Sequence, residues 1–379
     1  MDNRENLIEE PTNRVALRKM TTFSDKIAVT NQTERIVVTP FEKNKILRMY
    51  SVAKKILEGE MPHPLMAVVY PSYVCNHNCQ GCSYQELNRG ENVFLDPQNF
   101  GKLLKSLHCL EVKSIELSGG GEPTLHPKFC ELVKQAANEG FELGLLTNGS
   151  LISGRIAELV VDHFTYIRVN IDASDVQVYN QIHHPPEIYG FQTVLKNLEE
   201  VISKRNQKNS KLTVGAKVTV CQTNMNFIEA VVNLVKDIGC DYIQFKPMRN
   251  AEDSLLPEQV GMVDDFIKTL QEQYYPFSFC GGARGSKTNM KCWLSPIHIV
   301  VDPLGDVYPC CHYQYRREAT RIGNLFKQPL EKIWFGQRHK EVIDDLKVEE
   351  CNLYDCRWHH YNEIMWEVIK ENKMHLNFI

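Results

Sequence analysis

The chain has 379 residues, of which 43% are hydrophobic and 24% are charged, close to the usage of ordinary globular proteins. This composition excludes a disordered chain, a collagen-like repeat and a small disulfide scaffold, and the length allows two or three domains. A formal net charge of -4 gives no surplus of positive charge for a phosphate backbone, so we expect no nucleic-acid partner. No apolar run is long enough for a membrane span or a secretory signal, so we expect no membrane association and a cytoplasmic protein.

The N-terminal region, residues 1–62, is polar and irregular at first and becomes helix-like from Phe41 to Glu58. Hydrophobic residues recur there at helical spacing. We therefore predict an arm followed by one helix.

From residue 63 onward, short apolar strands alternate with amphipathic helices. The six predicted strands are LMAVVYP, KSIELSG, ELGLLTN, YIRVNID, LTVGAKVTV and DYIQFKP. Such alternation indicates a parallel sheet with helices on its outer face and ligands at the carboxyl ends of its strands. We predict an α/β core over residues 63–278.

The alternation ends near residue 280. The segment IHIVVDPLGDVYP predicts a hairpin that turns at Pro303 to Asp306, and short helices separated by cysteines follow it. We predict a second, smaller and cysteine-rich domain over residues 279–379.

Thirteen cysteines are present, and this odd number in a chain without an export signal indicates metal ligands rather than disulfides. Cys75, Cys79 and Cys82 follow the first strand with C-x3-C-x2-C spacing. Three thiolates fit an iron–sulfur cubane with one open iron. A zinc site completed by His77 is the alternative.

This cysteine loop resembles that of the radical S-adenosylmethionine (SAM) superfamily, and the resemblance extends over about residues 64–275. It implies a partial (β/α)6 barrel of the TIM type that holds a SAM-binding [4Fe-4S] cluster. A second match, LSGGGEPTLHP, follows the second strand and is similar to the family's segment that binds the amino group of SAM. Its residues are Gly119, Gly120, Gly121, Glu122 and Pro123.

Softer matches assign further cofactor-binding residues. Thr147 and Asn148 end the third strand, and Asn170 and Asp172 end the fourth, where the family contacts the SAM carboxylate and ribose. Ordinary turn chemistry is the alternative explanation for these residue types. Tyr84 is the candidate for the family's aromatic residue near the adenine.

The chain departs from the family at two positions. Gly81 stands before the third cysteine, where an aromatic residue is usual. Many relatives with a C-terminal cluster unit carry an arginine shortly beyond the fourth strand, and the comparable position here is His183 or His184.

Four later cysteines are predicted to form a second metal site. Gly305 supplies the turn in a C-x12-G-x4-C pattern, which resembles the start of the SPASM and Twitch auxiliary-cluster domains. The resemblance implies one auxiliary [4Fe-4S] cluster, and zinc remains an alternative for four thiolates. Cys311 could replace Cys310 as a ligand. The four predicted ligands are Cys292, Cys310, Cys351 and Cys356.

The resemblance implies an enzyme that reductively cleaves SAM to a 5′-deoxyadenosyl radical and removes hydrogen from a C–H bond. We expect it to oxidise a small polar substrate, such as a sugar, aminocyclitol or nucleoside derivative, with flavodoxin or ferredoxin as the reductant. The alternatives are a peptide maturase that makes a thioether or C–C crosslink, and an epimerase in which Cys311 or Cys280 donates hydrogen. A metal-stabilised electron carrier is the non-enzymatic alternative.

Overall fold

The computed structural model describes residues 49–82, 84, 92–248, 251–283, 291–311, 319–347, 356 and 359–370. The described residues belong to one compact unit, Thr39–Ile379. The predicted arm lies outside the described residues, as does the first part of the predicted N-terminal helix. The rest of that helix is α1, Tyr50–Leu57.

Ten strands of the described chain form one sheet, and seven of them run parallel in chain order. The seven are β1 (Met66–Val69), β2 (Ser114–Leu117), β3 (Glu142–Thr147), β4 (Phe164–Asn170), β5 (Thr213–Val220), β6 (Tyr242–Pro247) and β7 (Ser278–Gly281). The six predicted strands are confirmed. Strand β7 was not predicted, because its four residues SFCG run into a glycine-rich segment and carry little apolar signal.

Helices connect these strands and cover the outer face of the sheet. They are α2 (Pro97–Cys109), α3 (Phe129–Asn138), α4 (Gly154–His163), α5 (Val176–His183), α6 (Phe191–Gln207), α7 (Ile228–Ile238) and α8 (Pro257–Gln273). All except α5 match the sequence prediction. Buried leucines of α2 and valines of α7 pack on the buried strands and form one continuous core.

The C-terminal part of the chain extends the same sheet on the other side of β1. Strand β8 (His298–Val301) pairs in parallel with β1, and β9 (Asp306–Tyr308) returns antiparallel to β8. The predicted hairpin is therefore confirmed. Strand β10 (Gly323–Asn324) pairs with β9, and helices α9 (Leu330–Trp334), α10 (Gln337–Asp344) and α11 (His359–Lys370) follow.

The architecture confirms the predicted mixed α/β class with a parallel sheet. The strand order is β10-β9-β8-β1-β2-β3-β4-β5-β6-β7, so β7 and β10 are the edges. The carboxyl ends of β1 to β6 lead into the segments that carry the predicted site residues. Among the described residues, no helix is both long and apolar enough to span a bilayer.

Candidate active site

The first cysteine site, Cys75, Cys79 and Cys82, lies in the loop that follows β1. All three side chains are half-buried. Two backbone amides of this loop, those of Asn78 and Gln80, donate to the carbonyl oxygens at the end of α5 at 3.2 and 2.8 Å. The loop is therefore fixed against the helix that follows β4.

Burial makes these thiols poor acids on their own. It raises the pKa of Cys75 to about 12 and the pKa of Cys79 well above its usual value, and the neighbouring cysteines add to both shifts. Three thiolates gathered out of water require compensating positive charge. A thiolate-ligated iron cluster supplies that charge, so the donor set fits the group that the sequence implies.

The glycine segment lies directly beside this loop. The backbone N–H of Glu122 donates to the Val74 carbonyl at 2.8 Å. A Cβ atom at Gly121 would lie 2.1 Å from the same oxygen, so only glycine fits there. Gly120 has a φ of +79°, in the region that favours glycine.

The aromatic candidate Tyr84 packs over the start of this segment. A Cβ at Gly119 would lie 3.1 Å from the Tyr84 ring and 2.8 Å from that of Tyr70. The Tyr70 and Tyr84 rings meet edge to face at 5.8 Å. The structure thus brings Tyr84 to the glycine segment, and its role beside the cofactor stays a prediction. Pro123 begins a short 3-10 turn, Pro123–Leu125, that leads away.

The Glu122 carboxylate is buried and holds two strand ends together. One oxygen accepts from the hydroxyls of Thr124 and Thr147, both at 2.6 Å, and the other accepts from the backbone N–H of Asn148 at 2.7 Å. Burial raises the pKa of Glu122, and these hydrogen bonds oppose the shift. Its side chain therefore fixes the β2 and β3 ends, a role that its sequence motif did not reveal.

An amide network joins the β3 end to the cysteine loop. The Asn148 Nδ2 donates to Asn76 Oδ1 at 2.8 Å, and Asn148 Oδ1 accepts from the Ser150 hydroxyl at 2.7 Å. The Asn76 Nδ2 in turn donates to the Ser150 hydroxyl. The Asn148 amide also hydrogen-bonds to the Cys75 thiol, so Asn148 is next to the predicted cluster.

A histidine that the sequence resemblance marked only as a departure lies inside the site. His183 Nδ1 is 3.2 Å from Cys79 Sγ, and His183 Nε2 is 3.1 Å from Asp172 Oδ2. His183 Nε2 has no hydrogen-bond partner among the described residues, so the second contact is a close approach of the ring to the Asp172 carboxylate. The other Asp172 oxygen accepts from the Thr219 backbone. Both oxygens of this predicted ribose ligand thus have protein contacts.

Polar side chains form a row across four parallel strands. Asn170 pairs in register with Lys217, Lys217 with Gln244, and Gln244 with Cys280. Paired residues of parallel strands point to the same face. Asn170 and the hydrogen-donor candidate Cys280 therefore share one face of the sheet, and the half-buried Lys217 and the buried Gln244 stand between them.

The second cysteine site comprises Cys292, Cys310, Cys351 and Cys356. Cys351 lies outside the described residues. The backbone N–H groups of Leu294 and Ser295 point at the Cys292 thiol, whose pKa is raised by burial.

Two segments of this site are brought together by helix α11. Asn362, six residues after Cys356, accepts from the Trp293 backbone N–H at 2.7 Å and donates to the Lys291 carbonyl at 3.1 Å. These two residues flank Cys292. The structure therefore brings the segment of Cys292 close to the helix that follows Cys356.

Cys310 and Cys311 follow β9 and lie near the buried His298. One ring nitrogen of His298 and the two Sγ atoms lie within 4.8 Å of one another. His298 pairs with Met66 at the first position of the parallel β8–β1 ladder. The hairpin cysteines therefore lie at the amino end of β1, while the first cysteine site follows its carboxyl end. The other hydrogen-donor candidate, Cys280, lies on the edge strand β7.

Two family models match the chain in these two regions. Residues 69–216 match the Radical SAM superfamily, and residues 292–357 match SPASM, an iron–sulfur cluster-binding domain. These matches imply a SAM-binding [4Fe-4S] cluster, SAM itself and an auxiliary cluster.

Curated relatives and solved structures are similar to most of the chain. The chain is 28% identical over 295 residues to the tungsten-containing aldehyde ferredoxin oxidoreductase cofactor-modifying protein of Pyrococcus furiosus, covering 70% of this chain and 79% of the relative. It is 24% identical to the mycofactocin maturase MftC of Mycolicibacterium smegmatis, covering 76% and 75%. The fold matches Streptococcus suis SuiB bound to its precursor peptide SuiA, with a TM-score of 0.62, 15% identity and coverage of 92% and 83%.

Proposed function

The chain is a radical SAM enzyme with a SPASM domain, and we propose that it is a maturase that modifies a peptide. The observation that carries the proposal is the similarity to the mycofactocin maturase, which extends over 76% of this chain and 75% of the maturase. The similarity in fold to SuiB, solved with a precursor peptide, supports the same substrate class. This proposal takes the place of the small polar substrate expected from the sequence.

The open sheet supports a peptide substrate. Strand β7 is an edge, and among the described strands it pairs only with β6. Extended peptides bind to such edges through main-chain hydrogen bonds. Because Cys280 and Gln244 are paired across β7 and β6, a peptide added at this edge would lie beside the polar row that begins at Asn170.

The chemistry divides between cofactor and protein. When bound and reduced, the cluster and SAM supply a 5′-deoxyadenosyl radical that removes a hydrogen atom from a C–H bond. The protein positions the reacting groups: Glu122 fixes the strand ends, and Asn148 connects them to the cysteine loop. We propose a low-potential one-electron donor, such as flavodoxin or ferredoxin, as the partner that reduces the enzyme.

A second candidate is the modification of a small polar molecule, by oxidation or by epimerisation. It is favoured by the 28% identity to a protein named for modifying a cofactor. The half-buried Lys217 beside Gln244 would suit a small anionic group. The two candidates differ in the size and protease sensitivity of the substrate.

The proposal is tested by measuring 5′-deoxyadenosine formation with the reconstituted, reduced enzyme and SAM under anaerobic conditions. Peptide-sized and metabolite-sized fractions of an extract from the host organism are added separately, with and without prior protease digestion. We expect the peptide fraction to stimulate formation by about tenfold, because bound substrate promotes productive cleavage, and protease to remove the effect.

Mass spectrometry of the stimulating fraction identifies the product. An oxidative crosslink lowers the peptide mass by two hydrogens, whereas epimerisation leaves the mass unchanged. Cys75→Ala/Cys79→Ala/Cys82→Ala is the control that should form no 5′-deoxyadenosine. Stimulation by the metabolite fraction alone would contradict the maturase proposal and support the second candidate.

A further inference from the structure

Helix α5 places a buried histidine directly against one ligand of the first cysteine site. His183 Nδ1 lies 3.2 Å from Cys79 Sγ, and the histidine is 1% exposed. From this geometry we infer that His183 is a positioning residue that donates a hydrogen bond to the Cys79 thiolate and raises the reduction potential of the SAM-binding cluster.

The histidine and the cysteine loop are fixed to each other through the main chain as well. The carbonyl of His183 accepts from the Asn78 N–H, and the carbonyl of Ile182 accepts from the Gln80 N–H at 2.8 Å. These carbonyls belong to the last turn of α5, which leaves them without partners inside the helix. The N–H groups of Asn78 and Gln80 donate to these carbonyls. Cys79 lies between these two residues in the chain and is therefore held at the end of α5.

The orientation of the ring is fixed on its other faces. Asp172 Oδ2 lies 3.1 Å from Nε2, and the side chains of the two residues are only 4% and 2% exposed. The Tyr179 ring stacks on the imidazole with centroids 4.2 Å apart. Asp172 is itself held, because its carbonyl accepts from the Asn224 side chain at 2.8 Å. The ring therefore keeps Nδ1 toward Cys79.

The chemistry gives the direction of the hydrogen bond. A thiolate bound to iron can only accept, so Nδ1 of the histidine carries a proton in this contact. Hydrogen bonds to the sulfur ligands are among the factors that set the potential of an iron–sulfur cluster. A donor at Cys79 stabilises the reduced, more negative state and so makes the cluster easier to reduce.

A competing use of the same atoms is a single metal ion. Ligand atoms of His77, Cys79 and His183 lie within 4.8 Å of one another. A mononuclear metal would take His183 as a ligand and would compete with the cubane for Cys79. Iron content and EPR distinguish this use from a hydrogen bond.

The experiment compares three variants of the full-length, reconstituted protein in EPR-monitored redox titrations without substrate. His183→Leu removes the donor and keeps an apolar side chain, and His183→Asn retains a donor near the position of Nδ1. His339→Leu is the matched control, because His339 is also buried, packed against an aromatic ring and bonded through Nδ1, but lies in α10. The signal of the first site is the one that disappears in Cys75→Ala/Cys79→Ala/Cys82→Ala.

At the wild-type midpoint potential, we expect the ratio of reduced to oxidised cluster to fall by up to tenfold in His183→Leu, which equals about 59 mV for one electron. His183→Asn should recover most of the loss, and His339→Leu should titrate like wild type. Full iron content with an unchanged midpoint in His183→Leu would overturn the inference.

Two further outcomes are decisive. If His183→Leu loses its iron, the result for His183→Asn is used instead. An iron content and a midpoint potential like those of wild type in His183→Asn support the inference, and loss of iron in His183→Asn overturns it. Nitrogen coordination of a single metal, lost in both variants, would also overturn it. The inference rests on the cluster and not on the peptide substrate, so failure of the maturase proposal leaves this test unaffected.

Discussion

The two cysteine sites are built in different ways. At the first site, three ligands lie within eight residues of one loop. Asn148 at the end of β3 and the last carbonyls of α5 hydrogen-bond to that loop. At the second site, the ligands come from segments between residues 292 and 356, which a hairpin and helix α11 bring together. One site is local in sequence, and the other depends on tertiary contacts.

This difference predicts different responses to damage. The first site adjoins the continuous core of the parallel sheet, to which Tyr179 and Ile182 of α5 belong. The second adjoins a separate small cluster that includes Ile56, Leu294 and Met365. A small apolar cluster contributes less free energy than the main core, so we expect the second site to be lost first under mild destabilisation.

The largest expected effect is that of Cys75→Ala/Cys79→Ala/Cys82→Ala. Without its ligands the first cluster does not assemble, so 5′-deoxyadenosine formation should fall by more than about 1000-fold. Iron should fall from about eight to about four per chain. Iron and sulfide analysis together with liquid chromatography checks both values, and residual SAM cleavage near the wild-type rate would contradict the assignment of the first site.

The second site gives a contrasting prediction. Cys310→Ala should remove about four irons per chain but leave SAM cleavage without substrate within about threefold of wild type, since the first site remains intact. Cys311→Ala is the matched control and should retain its iron. The reverse result would assign Cys311 as the ligand. If the wild-type protein contains zinc at this site, the four cysteines form a zinc site and not an auxiliary cluster.

Local patterns predicted the sheet well because buried parallel strands are continuous apolar runs. They missed β7, whose half-buried residues give no such run. They also missed α5, which has eight residues. Its one clear signal is Asp175, whose side chain accepts from the Val178 N–H as a helix N-cap.

The sequence predicted which residues lie at the first cysteine site but not which atoms they contact. The sequence motifs indicated Glu122 and Asp172, but no pattern shows that the Glu122 carboxylate turns toward Thr147 and Asn148. His183 became visible only when α5 was placed against the cysteine loop. The choice between Cys310 and Cys311 stays open because both lie near His298, and the predicted boundaries at residues 62 and 278 stay predictions.

Glu122→Gln tests how strongly the strand ends support the first site. The new amide would place an N–H group against a Thr hydroxyl or against the Asn148 N–H, so a buried donor would lose its acceptor. Each such loss costs about 1–3 kcal/mol. We expect the free energy of unfolding to fall by about 3 kcal/mol in urea titrations, with weaker SAM binding, whereas exposed Glu139→Gln should change neither.

Acid should weaken the C-terminal region through His339. Burial lowers its pKa from 6.5 to about 4, so between these values the unfolded chain binds more protons and stability falls as the pH falls. From pH 7 to pH 5 this costs about 2 kcal/mol. His339→Gln should show a smaller loss over the same range in unfolding titrations, and equal losses in the two proteins would contradict the assignment.

The smallest expected effect concerns a side-chain hydrogen bond that joins the first cysteine loop to the hairpin before Cys310. The Tyr73 hydroxyl donates to the buried Asp302 Oδ2, whose partner oxygen accepts from the Leu304 and Asp306 N–H groups at the hairpin turn.

Tyr73→Phe removes this bond and should lower the free energy of unfolding by about 1 kcal/mol. Tyr274→Phe, which removes a bond to the surface residue Glu229, is the control and should cost less. A double-mutant cycle with Asp302→Asn measures the coupling directly. If the two sites are independent, Tyr73→Phe changes only stability. If the hydrogen bond couples the two sites, Tyr73→Phe also changes the EPR signal of the second cluster, although Tyr73 lies in the loop of the first. A coupling energy near zero between Tyr73 and Asp302 would show that this hydrogen bond does not stabilise the protein, although both sites lie on one sheet.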